Sequence, residues 1–309
     1  MKKFTLIGGG SWGTAIACLI ARAQGEVLLY SIETTTTDEI NNNHTNTKYL
    51  GDANLPTGLK ATSQIEDIID SEIIVIAAPS HAFASVLQQL KDLNISKETT
   101  LLIATKGLCE DPVELFSTKI ERELTNTYAF LSGPNFAREV ADDKFSGIVI
   151  SSKDLECAKQ IASLLQTNTL TTDVSDDVIT AQIASIVKNI TAIKSGIFQA
   201  QGHGANARAW LISKALEEIA IISKELGGDI SSLPLSSIVG DLVLTCYSDA
   251  SRNTKFGYEF HKNNYSKEFL KNYPILVEGA RNAKLLQKFV GKYNLDLPIT
   301  SSVADILET

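Results

Sequence analysis

Gly8-Gly9-Gly10-Ser11-Trp12-Gly13 follows directly on the apolar run Phe4 to Ile7. It precedes a segment in which Ala15, Ile16, Leu19 and Ile20 recur on one helical face. After Gly25 a second apolar run, Val27 to Tyr30, begins. Strand, glycine-rich turn, helix and strand make one βαβ unit of about thirty residues. G-x-G-x-x-G in that setting leaves few folds open. The turn needs residues without Cβ, the backbone must come close to a pyrophosphate, and the helix N-terminus supplies partial positive charge. Gly8, Gly10 and Gly13 are therefore candidate dinucleotide ligands, and the chain is expected to open with a Rossmann-type α/β domain.

The alternation continues through Ile73 to Ala78, Leu101 to Ala104, Tyr128 to Leu131 and Ile148 to Ile150. Such near-continuous apolar strands between helical segments indicate a parallel sheet buried on both faces. The polar stretch Thr34 to Lys60 reads as loop and helix-cap material. After about residue 175 the texture changes: Ile179, Ile183, Ile186, Val187, Ile190, Ile193 and Ile197 recur at helical steps, and Asn206 to Leu226 repeats the pattern up to Gly227-Gly228. No strand series follows. The expectation is an α/β domain over 1–175 and an all-α domain over 176–309, in keeping with a length of 309 residues.

Net charge of −8 and a pI near 5.1 exclude a broad basic surface, so nucleic acid is not an expected partner. An anionic ligand would have to meet local cations. Cys18, Cys109, Cys157 and Cys246 form no C-x-x-C pair, which points to reduced thiols, a cytoplasmic location and no metal site. Met1-Lys2-Lys3 with the apolar stretch up to Ala23 mimics a secretory signal, but Gly8 to Ser11 interrupts its centre. No run reaches the roughly 18 apolar residues of a membrane span.

Several residues invite a chemical reading. Glu33, just past the second strand, either accepts from an adenosine ribose hydroxyl or only caps the next helix. No Arg, Lys or His lies between Tyr30 and Asp38 to meet a 2′-phosphate. Pro79-Ser80-His81, Thr105-Lys106-Gly107 and Ser132-Gly133-Pro134-Asn135 all follow apolar runs and share the ligand-binding edge of the sheet. Lys106 is the only lysine or arginine among them, and His81 reads more readily as structural than as an acid or base. Lys188 lies in a strongly apolar helix, on a solvated stripe or directed at a buried ligand. With Asn189 it could donate a proton and orient an oxygen. Ser251-Arg252-Asn253 offers a hydroxyl, a planar fork and an amide to a phosphate, and Asp241 opens the nearby Gly240 to Thr245 segment.

Eight ordered motifs extend this picture over essentially the whole chain: 8–15, Ala-Thr-Lys-Gly (104–107), Ser-Gly-Pro-Asn-Phe-Ala-Arg-Glu (132–139), Val-Lys-Asn (187–189), 204–209, Gly-Asp-Leu-Val-Leu-Thr-Cys (240–246), Ser-Arg-Asn-Thr-Lys-Phe-Gly (251–257) and Val-Glu-Gly-Ala-Arg-Asn (277–282). Together they resemble the bacterial NAD(P)-dependent glycerol-3-phosphate dehydrogenases. The resemblance implies a helical second domain like the C-terminal domain of 6-phosphogluconate dehydrogenase. It also implies reduction of dihydroxyacetone phosphate to sn-glycerol 3-phosphate with NADH or NADPH, for phospholipid synthesis. It makes Lys188 the proton donor and acceptor. It puts Ser11, Trp12, Lys106, Ala137, Arg252 and Glu278 on the cofactor. It puts Lys106, Gly133, Asn135, Lys188, Asn189, Asp241, Ser251, Arg252 and Asn253 on the substrate, and it is compatible with a homodimer. Three positions depart from the pattern: Ser31-Ile32 lacks the basic residue frequent after the second strand, Asn135 replaces Ser or Thr, and Ser236 to Val239 lacks a glycine. A related β-hydroxyacid or polyol dehydrogenase, or a nucleotide sensor without chemistry, are the competing readings.

Overall fold

A computed structural model describes residues 2–308. Its elements in chain order are β1 (Phe4–Ile7), α1 (Ser11–Gln24), β2 (Val27–Tyr30), α2 (Thr34–Asn43), α3 (Thr47–Leu50), β3 (Leu59–Thr62), β4 (Ile73–Ile76), α4 (Phe83–Asp92) and β5 (Thr100–Ile103). Then come β6 (Cys109–Glu110), β7 (Val113–Glu114), α5 (Phe116–Glu123), β8 (Tyr128–Ser132), α6 (Ala137–Ala141), β9 (Ser146–Ser151), α7 (Leu155–Leu165) and β10 (Leu170–Ser175). Helices complete the chain: α8 (Val178–Ala200), α9 (Ala205–Glu225), α10 (Asp241–Tyr247), α11 (Arg252–Lys262), α12 (Lys267–Asn272), α13 (Glu278–Val290) and α14 (Pro298–Glu308). The contacts divide them into two units, residues 1–105 with 117–178, and residues 106–116 with 179–309.

The first unit is an eight-stranded sheet in the order β10-β9-β8-β5-β4-β1-β2-β3. β1 pairs in parallel with β2 on one side and β4 on the other, Leu6 lying opposite Leu29 and Val75. The strand order reverses there, and such a switch point leaves a crevice outside the carboxyl ends of the strands. Every residue of β1 and β4 is buried, as expected of strands covered on both faces. The sheet departs from the all-parallel expectation at one pairing, because β9 runs antiparallel to β8 while β10 runs parallel to β9. A short connection, with only the five-residue α6 in it, returns the chain beside β8 in the opposite sense. The polar stretch after β2 also departs from expectation. Thr34–Asn43 is a helix, held by burial of Thr36, Thr37 and Ile40 and by Asn41, whose side chain bonds both the carbonyl and the N–H of Ala61 on β3. Tertiary contacts here outweigh weak helix propensity.

The second unit is helical apart from the small β6–β7 hairpin. The long α8 is buried over most of its length and packs in a core with Leu211, Ile219, Leu242, Phe256, Phe260 and Leu286. Leu108 and Leu115, from the stretch that flanks and includes the hairpin, belong to this same core. Gly257 brings α11 against α8 with no side chain between them: a Cβ there would sit 2.0 Å from the Ile193 carbonyl oxygen. That approach of two backbones fixes where α11 begins relative to Lys188.

Candidate active site

In the first unit, the turn after β1 is shaped by what cannot fit in it. Gly8 has φ of 122°, and a Cβ there would lie 2.9 Å from the Ala77 carbonyl at the end of β4. At Gly13 a Cβ would lie 1.9 Å from the Gly8 carbonyl oxygen, so the first turn of α1 presses directly on the loop. Gly10 differs: nothing lies within 4 Å of the place its Cβ would take. It is the N-cap of α1 and offers no side-chain cap, so no protein side chain answers the helix N-terminus through that position. A turn closed behind and open in front, leading into an uncapped helix, fits a dinucleotide pyrophosphate. Ser11 and Trp12 begin that helix and are half-buried.

Beyond β2, Glu33 is the N-cap residue of the next helix. Its carbonyl accepts from Thr36 and Thr37 at the start of α2. Its carboxylate accepts from Lys48 Nζ at 2.7 Å, the Tyr49 hydroxyl at 2.7 Å and Thr36 Oγ1 at 3.1 Å. These donors, Lys48 first, hold its carboxyl below the usual glutamate range. No sequence signal marked Lys48. It reaches Glu33 only because α3 folds back over the turn.

At the other strand ends, Thr105 ties β5 to β4 by donating to the carbonyls of Ile76 and Ala78. Gly133 is buried, and Asn135 donates from Nδ2 to the Gly147 carbonyl at 3.1 Å. Asn135 Oδ1 is buried without a hydrogen-bond partner, an acceptor awaiting a donor. Ala137 starts α6. His81 is exposed on a short 3-10 turn.

In the second unit, Lys188 is 6% exposed, and this settles its alternative: it is not on a solvated stripe. Its Nζ donates to Asp241 Oδ1 at 2.9 Å and to Thr245 Oγ1 at 3.1 Å, and Thr245 donates in turn to the same Asp241 oxygen at 3.2 Å. Asp241 is 1% exposed. Burying an ammonium is tolerable only beside such a carboxylate. Two of the lysine's three protons are committed, which leaves one to give. Lys106 Nζ stands 3.9 Å from the other Asp241 oxygen. Burial first, then the charge of Lys188, lower its pKa to about 8, with Asp241 opposing. Ser236–Gly240 forms a single π-helical turn leading into α10, and Asp241 is the first residue beyond it. The glycine-less departure thus lies in a widened turn, a feature frequent at functional sites. Thr245, four residues on, lies in the Gly240 to Thr245 segment but has no role of its own in the sequence; its i+4 spacing from Asp241 is the signal for one.

The Ser-Arg-Asn cluster is more committed than its composition suggests. Ser251 N-caps α11, its hydroxyl accepting from the Thr254 N–H at 3.2 Å. Asn253 Oδ1 accepts from the Gly279 N–H at 3.0 Å, and its Nδ2 donates to Asn189 Oδ1 at 2.9 Å. Asn189 donates from Nδ2 to the Ser185 carbonyl at 3.2 Å. Because a backbone N–H can only donate, Gly279 fixes the orientation of the Asn253 amide, and Asn253 fixes that of Asn189. Glu278, beside Gly279, opens α13. Arg252 is exposed at the first position of α11, whose N-terminal amides are suited to an anion. Among the described residues no group of three His, Cys, Asp or Glu converges as a metal site, and no helix is long and apolar enough to cross a membrane.

A glycine turn at a sheet's switch point, followed by a helical unit with a buried lysine on a carboxylate, defines a two-domain dinucleotide-dependent dehydrogenase. Family models described as NAD-dependent glycerol-3-phosphate dehydrogenase, N-terminus and C-terminus, match residues 3–158 and 177–309. The chain belongs to the NAD-dependent glycerol-3-phosphate dehydrogenase family. It is similar to glycerol-3-phosphate dehydrogenase [NAD(P)+] of Rickettsia typhi, 46% identical over 99% of this chain and 97% of the relative. The corresponding protein of Rickettsia rickettsii is 48% identical over 98% and 90%. The crystal structure of glycerol-3-phosphate dehydrogenase from Coxiella burnetii superposes with a TM-score of 0.93 at 32% identity, covering 99% of this chain and 94% of that one. The chain is an NAD(P)-dependent oxidoreductase with a Rossmann-like N-terminal domain and a helical C-terminal domain.

Proposed function

We propose that the chain reduces dihydroxyacetone phosphate to sn-glycerol 3-phosphate, with Lys188 as the proton donor. The observation that carries this reading is the buried Lys188–Asp241–Thr245 ring, in which one ammonium proton is uncommitted. Residues 1–175 are assigned the cofactor, through Gly8, Gly10, Ser11, Trp12, Gly13, Lys106 and Ala137. Residues 176–309 add Arg252 and Glu278 to it and carry the acid.

A reduced nicotinamide cofactor held along the Gly8 to Gly13 turn would supply the hydride that reduces the carbonyl. Negative charge then develops on the carbonyl oxygen, and Lys188 gives it a proton, forming the secondary alcohol. Asp241 and Thr245 hold the lysine so that its remaining N–H keeps one direction; the neutral amine is reprotonated from solvent. Asn189, oriented by Asn253, offers an amide N–H to a substrate oxygen. Arg252 and the backbone N–H of Asn253 at the start of α11, whose Thr254 N–H is capped by Ser251, receive the phosphate. Lys106 adds charge to the same anion. Asn135 Oδ1 accepts from a substrate hydroxyl beside Gly133, which gives the departure at that position a use. The free state of all four cysteines supports a cytoplasmic location, and the product suits glycerophospholipid synthesis.

Lys188→Ala is expected to lower kcat about 10²–10⁴-fold, the range of a lost general acid. Arg252→Ala is expected to raise KM for the phosphorylated triose much more than that for unphosphorylated dihydroxyacetone. Initial rates with both substrates check this. Near-normal kcat in the Lys188 variant, or an unphosphorylated hydroxy acid as the better substrate, would sink the reading.

A further inference from the structure

In the first unit α3 is tied to the glycine-rich turn. Ser11 Oγ donates to the Tyr49 carbonyl at 2.8 Å, and Asn46 Nδ2 donates to the Gly9 carbonyl at 3.0 Å and to Thr14 Oγ1 at 2.8 Å. This anchoring carries Lys48 to the carboxyl end of β2, where its Nζ meets Glu33 Oε2 at 2.7 Å. Residues 31–38 hold no cation of their own.

A carboxylate at this strand end accepts from an adenosine ribose hydroxyl and repels a 2′-phosphate. Here the carboxylate is neither bare nor saturated. Of its roughly four lone-pair positions, Lys48 and Thr36 use those on Oε2, and Tyr49 uses one on Oε1. One position remains for a ribose hydroxyl. The lysine side chain is 60% exposed on a flexible stem, and an exposed ion pair is cheap to open. A phosphate offers the ammonium a stronger, doubly charged partner than the one it leaves.

We propose that Lys48 sets the cofactor specificity of this chain: paired with Glu33 it leaves the site open to the 2′-hydroxyl of NADH, and swung off Glu33 it receives the 2′-phosphate of NADPH. The proposal rests on the cofactor lying along the glycine-rich turn, and not on the assignment of Lys188.

Titrating the full-length chain with NADH and with NADPH, followed by nicotinamide fluorescence at low and high salt, tests it without turnover. For Lys48→Gln the ratio of NADPH to NADH affinity is expected to fall about 10-fold or more, the size of one charge-assisted contact. The excess salt dependence of NADPH binding should fall with it, and Lys48→Arg should restore both. Glu33→Gln is expected to move the ratio in the opposite direction. An unchanged ratio in Lys48→Gln, whether both affinities stay or both drop together, overturns the proposal, since a lysine that only holds α3 affects the two cofactors equally. So does a wild-type chain that binds NADPH about 100-fold more weakly than NADH.

Discussion

At the scale of single residues, the charged groups of this chain differ most in how far burial has altered them. Lys106 lies beside a second lysine and shares its carboxylate, and its pKa falls to about 8 from an ordinary 10.5. The sign follows from linkage: the unfolded chain holds that proton more tightly, so the lysine costs stability at neutral pH. The cost disappears as pH rises from about 8 toward 10.5. Anion binding depends on the charged form. KM for dihydroxyacetone phosphate is therefore expected to rise as pH climbs through about 8, and Lys106→Arg to push that rise to higher pH, as kinetics between pH 6.5 and 9.5 would show. Lys188 and Asp241 are both candidates in the sequence, with Asp241 expected to hold the lysine, but the burial of that pair is not written there. An apolar helix admits a lysine either at its surface or toward a buried acid, and only the packing of α10 on α8 chooses.

At the scale of elements, the parts held by local pattern were readable and the parts held by distant polar contacts were not. α1 and α8 show three- and four-residue apolar spacing, and both form where expected. α2 consists largely of Thr and Asn, and it exists because β3 supplies partners for Asn41. α14 is a second such case. Buried Glu218 on α9 accepts from the N–H groups of Ile299 and Thr300 and from the Thr300 hydroxyl, closing the N-terminus of that helix. Burial raises the carboxyl pKa despite these donors. Glu218→Gln turns an amide NH₂ or a single oxygen toward donors that need a carboxylate. It is expected to cost about 1–3 kcal/mol, read as a lower urea midpoint at unchanged slope.

At the scale of the whole molecule, the chain passes between its two units three times, because residues 106–116 leave the first unit for the second and return. Leu108 and Leu115 are buried there in the helical unit's core. A fragment ending at residue 178 would strand both leucines in water. It is expected to aggregate as it stands, and to become soluble and to bind NADH weakly once 106–116 is replaced by a Gly/Ser linker. Sedimentation and fluorescence titration of the two fragments check this. Nothing in the local composition of 106–116 marks the excursion, since a short apolar stretch after a strand reads the same whichever core receives it.

What the sequence determined by itself is what near neighbours and steric exclusion impose: the glycine turn, the strand runs, the change of period near residue 175, and a set of residue types suited to a dinucleotide and a phosphate. The tertiary structure alone decided which polar groups face one another. It turned a lysine of uncertain direction into the donor of a buried ring. It committed Asn253 to Asn189 and Gly279, and it brought Lys48 to a strand end that has no cation of its own. Apolar periodicity is a property of consecutive residues, whereas a buried charge is stable only beside a partner tens of residues away. The fold's outline was therefore written along the chain, and the chemistry of its site across it.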